Sequence, residues 1–433
     1  MSENPQIPGE DGQPLPFGLP ADFDLAALMR ILASPGPLNW EVAHQVAGFV
    51  ALGAEDTTPM MTFGTTNVPT DSPIDPAVDA ECRAMADLAR QHVASTTGIT
   101  EVLATSVFVL GRRAWADTHL DALRPVLEAF ATPLQRTLES NPFPEGESPF
   151  GQELMPGLGS LAGMLPMMAP LLLGMQAGSM VGELAKHALG RYDLPLPTND
   201  QPTIVFSEPN ITAFADAWSL DARSVRLHVA LFETVRVALR TVPWVQRRLS
   251  RLAIEYVSGY EIDAERMRSA FGEFDERLLG GGMLDPAQLD EEAFAGFEVD
   301  PQTLLGAMRS PRQVVTLREL QTLFAILEGF ADTVCAQIGS GLIPEFTRVE
   351  EARRRHRLER GEADRFIEGL LGVELTRAQY ELGEHFCTGV VERAGLEGLN
   401  RIWSSEQMLP TPAEIEAPGL WLARIDLPES NNT

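Results

Sequence analysis

The amino-acid sequence predicts a mainly helical fold with one small β element. Three observations carry this. Apolar residues recur at helical spacing along most of the chain, and only one run reads as a strand. The third is composition: hydrophobic residues at 44% and charged residues at 22% belong to a packed globular protein rather than a disordered one. At 433 residues the chain can bury a large core.

Residues 1–20 are rich in Pro, Gly and acidic side chains without an apolar period, and read as a disordered tail. Residues 22–33 carry a short helical pattern from Phe23, Leu25 and Leu28, stopped by Ser34-Pro35-Gly36-Pro37. Asn39 is placed to cap a second helix with Val42, Val46 and Phe49 on one face. A Thr-, Pro- and Gly-rich loop follows over 53–72. Asp75-Pro76 then restarts a helix, with Asp at the cap and Pro at the first helical position. Further helical patterns cover 112–138, ahead of a turn-rich segment at 141–146.

From Leu154 to Gly182 no residue is charged, a length that raises the question of a membrane span. Pro156, Pro166 and Pro170 interrupt it, and Glu153 and Glu183 flank it without basic residues, so a buried hairpin of helices is expected instead. Gly174, Gly178 and Gly182 recur every four residues and allow another backbone to come close. Thr203-Ile204-Val205-Phe206 is the strand. Asp221 opens a long helix to about Val242, and 243–311 is mixed and turn-rich. Another helix, with Leu320, Leu323, Phe324, Leu327 and Phe330 on its apolar side, runs to about Gly339. Helical patterns continue to about Gly395. The chain thus divides into a tail at 1–20, a helical part at 21–200, a second part at 201–426 and a tail at 427–433.

Asp and Glu number 61 against 33 Lys and Arg, a formal charge of -28 that repels phosphate backbones and anionic headgroups. Nucleic acid is excluded as a partner, and a membrane is disfavoured. Cys82, Cys335 and Cys387 are too few and scattered for a disulfide framework or a thiolate zinc module. With no signal-peptide pattern at the N-terminus, a cytoplasmic location is expected. No nucleotide-binding glycine loop and no GxSxG elbow is present.

A helical zinc peptidase needs two imidazoles four residues apart, which share one helix face, and a glutamate beside the first to activate water. The nearest run is Arg226-Leu227-His228-Val229-Ala230-Leu231-Phe232-Glu233-Thr234-Val235-Arg236, which keeps a glutamate and lacks both imidazoles. Taken alone it is an ordinary amphipathic helix. The pieces around it are Gly190-Arg191-Tyr192-Asp193-Leu194-Pro195, Pro209-Asn210-Ile211, Leu327-Glu328-Gly329-Phe330-Ala331-Asp332, Gln379-Tyr380 with Gly383 and Phe386, and Leu409-Pro410-Thr411 with Glu414, Ile415, Pro418 and Trp421. Trp40 and Trp115 add to them. In this order, over most of residues 35–425, the chain resembles the zincin-like metallopeptidase family of actinobacteria, whose members include proteins described as zinc-dependent hydrolases or as associated with coenzyme F420 biosynthesis.

The resemblance implies a helical zincin-like single domain, with 201–426 carrying the site. It places Phe232 and Arg236 where the family has its two helix histidines, and Phe330 where it has the histidine of a Glu-Gly-His run. Glu233 then stands as the remnant general base, with His228, Glu328 and Asp332 as neighbours. Zinc is the cofactor expected for the family, but Phe has no lone pair for a metal and Arg is a permanent cation, so none is expected here. His228, one turn before Phe232, is the candidate for a displaced ligand, with His385 in support; a histidine bonded to a backbone carbonyl or partly exposed is the plainer reading. Glu233 is either idle or paired with Arg236. The run Arg353-Arg354-Arg355-His356-Arg357 reads as a solvated helix face before it reads as a clamp. The function expected is a non-catalytic pseudoenzyme that binds a peptide or protein partner. The alternatives are an active zinc-dependent metalloprotease or hydrolase with a rewired metal site, and a membrane-associated protein acting through 154–182.

Overall fold

A computed structural model of the protein describes residues 36–53, 70–140, 159–193, 201–260, 310–358, 361–372 and 375–426. The expected tails, the 22–33 helix, the 141–146 turns, most of the 53–72 loop and most of 243–311 lie outside these.

The described chain is helical almost throughout. Helix α1 spans Trp40–Ala51 and is capped by Asn39, whose side chain accepts from the Val42 amide at 3.1 Å. Helix α2, Pro76–Thr97, starts at Asp75 as expected, and the left-handed Gly98 ends it. Strand β1, Ser106–Leu110, precedes α3, Arg112–Ser140, and α4, Gly159–Ala185. Strand β2, Thr203–Ser207, leads into α5, Glu208–Ala217, and α6, Ala222–Thr241, which Asp221 caps through the Ser224 amide. Then come α7, Pro243–Val257, α8, Pro311–Leu342, α9, Phe346–Leu358, α10, Glu362–Leu371, and α11, Arg377–Asn400. Two short helices, α12 at Pro412–Ile415 and α13 at Pro418–Asp426, close the fold.

Two expectations need correction. Strand β1 was missed: its five residues pair in parallel with β2, with Phe108 opposite Val205. A run this short and apolar does not separate strand from helix by period alone. From Gly159 onward the uncharged segment is also one helix, α4, with Pro166 and Pro170 inside it, rather than a hairpin. Tertiary packing overrides local propensity there. The glycines explain how. A Cβ on Gly174 would lie 2.4 Å from the Asn39 carbonyl oxygen, and one on Gly178 2.3 Å from that of Ala43, so α4 crosses α1 at backbone contact. The Asn39 amide also donates to the Pro170 carbonyl at 2.9 Å.

Sheet and core both cross residue 200. β1 and β2 come from the two parts, and one apolar cluster runs from Leu38 to Ile425, so these are parts of a single domain. Among the described residues α8 is long and apolar enough to cross a membrane, yet 72% of its most apolar window is buried, as expected of a central core helix. A second close crossing fixes α8. A Cβ on Gly383 of α11 would stand 2.0 Å from the Ala325 carbonyl oxygen, and one on Gly329 2.3 Å from Gly383.

The α1–α4 crossing gives a direct test. Alanine favours a helix over glycine by about 1 kcal/mol, but overpacking costs roughly 1–3 kcal/mol. Thermal or denaturant unfolding should show Gly178→Ala destabilised, whereas Gly341→Ala, whose Cβ meets nothing within 4 Å, should be neutral or slightly stabilised.

Candidate functional site

Helix α6 carries Phe232, Glu233 and Arg236 into the interior, where each is no more than 3% exposed. Across from it α8 presents Glu328 and Asp332, four residues apart and so on one face. The Arg236 guanidinium reaches over: Nη2 donates to Glu328 Oε2 at 2.5 Å, Nη1 donates to the Tyr192 carbonyl, and Asp193 Oδ1 lies 3.8 Å from Nη1. Burial acts against this cation, but Glu328, Asp193 and Glu233 outweigh it and raise its pKa.

Helix α9 supplies the other cations. Arg353 donates to Asp332 Oδ1 at 2.5 Å, and Arg357 bridges Asp332 Oδ2 at 3.3 Å and Glu328 Oε2 at 3.2 Å. Burial pushes the Asp332 carboxyl up, yet Arg357 and Arg353 overcome it and hold it below the usual carboxylate range. The expected solvated face is therefore wrong for Arg353 and Arg357, although Arg355 does stay exposed beside Glu351. A charged run on a helix hides which of its faces points inward, and here three guanidiniums close on two carboxylates.

Glu233 makes no hydrogen bond to Arg236 among the described contacts. Its Oε2 accepts from the Arg191 amide at 2.8 Å and its Oε1 from the Tyr192 amide at 3.0 Å, while a Cβ on Gly190 would stand 2.4 Å from its carboxyl carbon. The loop is held from its other side by Trp115, whose Nε1 donates to the Gly190 carbonyl at 2.8 Å. Burial first, and Asp193 second, push Glu233 up to about 7 against the pull of Arg236 and the two amides. The partner loop lies some forty positions earlier in sequence, out of reach of any local pattern.

Two cations lie over the Phe232 ring, with the Arg236 guanidinium carbon 4.1 Å and that of Arg353 3.6 Å from its centre. Phe330 sits elsewhere. It meets Trp403 edge-on at 5.1 Å, because two residues along a helix turn a side chain away from the face of Glu328 and Asp332. His228 is 2% exposed, stacks on Phe232 at 6.0 Å and touches Phe346, and neither ring nitrogen has a hydrogen-bond partner. It is thus neither bonded to a carbonyl nor partly exposed, and burial followed by Arg353 lowers its pKa to about 3. His385 lies exposed on α11 and gives it no support. Arg240, not anticipated from sequence, stacks on Tyr192 at 3.9 Å and donates to the Arg236 carbonyl at 3.3 Å.

A glutamate-bearing helix set against a second helix with carboxylates is the frame of a helical zinc peptidase. The chain belongs to the zincin-like metallopeptidase family, whose sequence profile matches residues 38–422. A crystal structure from Chloroflexus aurantiacus, described as a provisionally assigned hydrolase with a novel fold, superposes with a TM-score of 0.55 at 22% identity, covering 90% of this chain and 99% of that one. That likeness concerns the fold. A search of curated proteins finds no match.

Zinc does not fit the residues present. Phe232 offers no donor atom, Arg236 puts a guanidinium against Glu328, and both Glu328 and Asp332 are already taken up by arginines.

Two outcomes follow. Arg236→Ala leaves Glu328 short of its closest cation and should cost about 3–5 kcal/mol, as for a broken buried pair, read by denaturant unfolding. Glu233, raised in the folded state, contributes stability that is full below the unfolded carboxyl value and lost as pH rises through about 7. Wild type should therefore lose stability relative to Glu233→Gln between pH 5 and 8.

Proposed function

We propose that this protein is a non-catalytic member of its family, a pseudoenzyme that acts by binding a peptide or protein in the cytoplasm. The observation that carries the reading is the state of Glu233. A general base must reach the proton it takes, directly or through one water. Glu233 is 2% exposed and both of its oxygens accept backbone amides. A metal-activated water also needs an open coordination position and neutral or anionic donors. Phe232 and Arg236, on a degenerate form of the family's zinc-binding helix, supply a ring and a cation.

Arg236 takes over the electrostatic work of a metal. Buried carboxylates need a positive partner, and a guanidinium forked between Glu328 and the Tyr192 carbonyl provides one without reactivity. The packed interior is left with a structural task, and the surface with the functional one.

Protein purified without a metal-affinity tag should carry well under one equivalent of zinc by elemental mass analysis. Added zinc should not raise its melting temperature, and no chelator-sensitive peptidase activity should be found. Stoichiometric zinc, or activity abolished by both a chelator and Glu233→Gln, would return the chain to the working enzymes.

A further inference from the structure

The buried ion cluster opens on one side into a cleft. A cavity of about 300 Å³ lies between α8, α9 and α11, with Asp332, Gln337, Arg354, Glu384 and Thr388 among its walls. Of the residues around it only Ala336 lacks a polar side-chain atom, in contrast to ligand pockets generally, which are mostly apolar. Such a lining recognises a molecule that is itself polar throughout.

The charges in the cleft are held in fixed places. Asp332, 5% exposed, is anchored from behind by Arg353 and Arg357. Across from it Arg354 donates through Nη2 to Glu384 at 2.9 Å and to Glu350 at 3.3 Å, while its Nη1 makes no hydrogen bond among the described contacts. Glu384 is about two-fifths exposed and accepts from Arg354 alone among the described contacts. The cleft therefore offers a guanidinium with unused donor capacity beside a carboxylate with unused acceptor capacity. Thr388, at the exposed rim, and Gln337 add neutral polar groups.

We infer that this cleft binds a small zwitterion, a free α-amino acid or a dipeptide, with its carboxylate on Arg354 and its ammonium on Glu384. An ion of one sign gains from only one of the two fixed charges and is repelled by the other, whereas a molecule carrying both satisfies each without a net charge to bury. The inference is independent of whether Glu233 is catalytic, since the site lies on the far side of Asp332 and uses none of the residues of α6.

The test is calorimetric titration of the full chain with each of the common amino acids and with glycylglycine. Saturable binding of at least one is expected, weakened at least tenfold when that probe is N-acetylated and likewise when its carboxylate is amidated. Thr388→Trp, which fills the rim without touching the core, should weaken it at least tenfold with the melting temperature unchanged, and Arg354→Met should also weaken it at least tenfold. No saturable binding at millimolar probe would overturn the inference. So would binding that tolerates either blocked terminus or survives Thr388→Trp. A preference for the single amino acid or for glycylglycine identifies which of the two the cleft holds.

Discussion

The buried pair between Arg236 and Glu328 is the interaction on which the centre of this protein depends. Neither group could stay ionised alone at 2–3% exposure, since an isolated charge in a protein interior is costly or changes its protonation state. Together they tie α6 to α8, and Arg357 extends the tie to α9 by sharing the same Glu328 oxygen. Arg353 and Asp332 complete the set. Three helices are thereby held by charge at the place where their apolar faces meet, and two of the guanidiniums lie over the Phe232 ring. Such a cluster is demanding rather than generous in stability, because desolvation offsets much of the attraction. What it contributes above all is a definite arrangement.

Backbone contacts set the distances that make the cluster possible. Gly329 and Gly383 let α11 press directly on α8, which fixes the rotation of Glu328 and Asp332. Gly190 gives the Glu233 carboxylate room against the loop, and Trp115 holds that loop from behind. Asn210 joins in: its amide donates to the Ala185 and Ala188 carbonyls at 2.9 and 2.8 Å, and its oxygen accepts from Arg112. At the far end Trp421 donates to the Met408 carbonyl, and Thr411 and Glu414 form a capping box bound to Arg424. The scattered motifs that carry the family resemblance are thus mostly packing and capping devices.

Much of the fold was legible because its signals are local. Asn39, Asp75 and Asp221 each cap the helix they were expected to start, and β2 follows its β-branched run. What was missed depends on distant partners. Strand β1 exists because β2 pairs with it, and α4 runs through two prolines because α1 packs along its glycines. The same division holds in the site. A pairing of Glu233 with Arg236 was what helix spacing allowed, but the Arg191 and Tyr192 amides that hold Glu233 come from a loop that no period announces. The turn of Phe330 away from the Glu328 face was readable from its two-residue offset, and the family resemblance concealed it.

In the proposed reading, the Arg236 guanidinium occupies the electrostatic role of a divalent cation between α6 and α8. Anomalous diffraction at the zinc absorption edge, from crystals soaked in excess zinc, tests it most directly. No anomalous peak is expected within coordinating distance of Glu233 or Glu328, and clear density is expected for Arg236 on Glu328. A peak bound by either carboxylate, with the Arg236 side chain displaced, would contradict it.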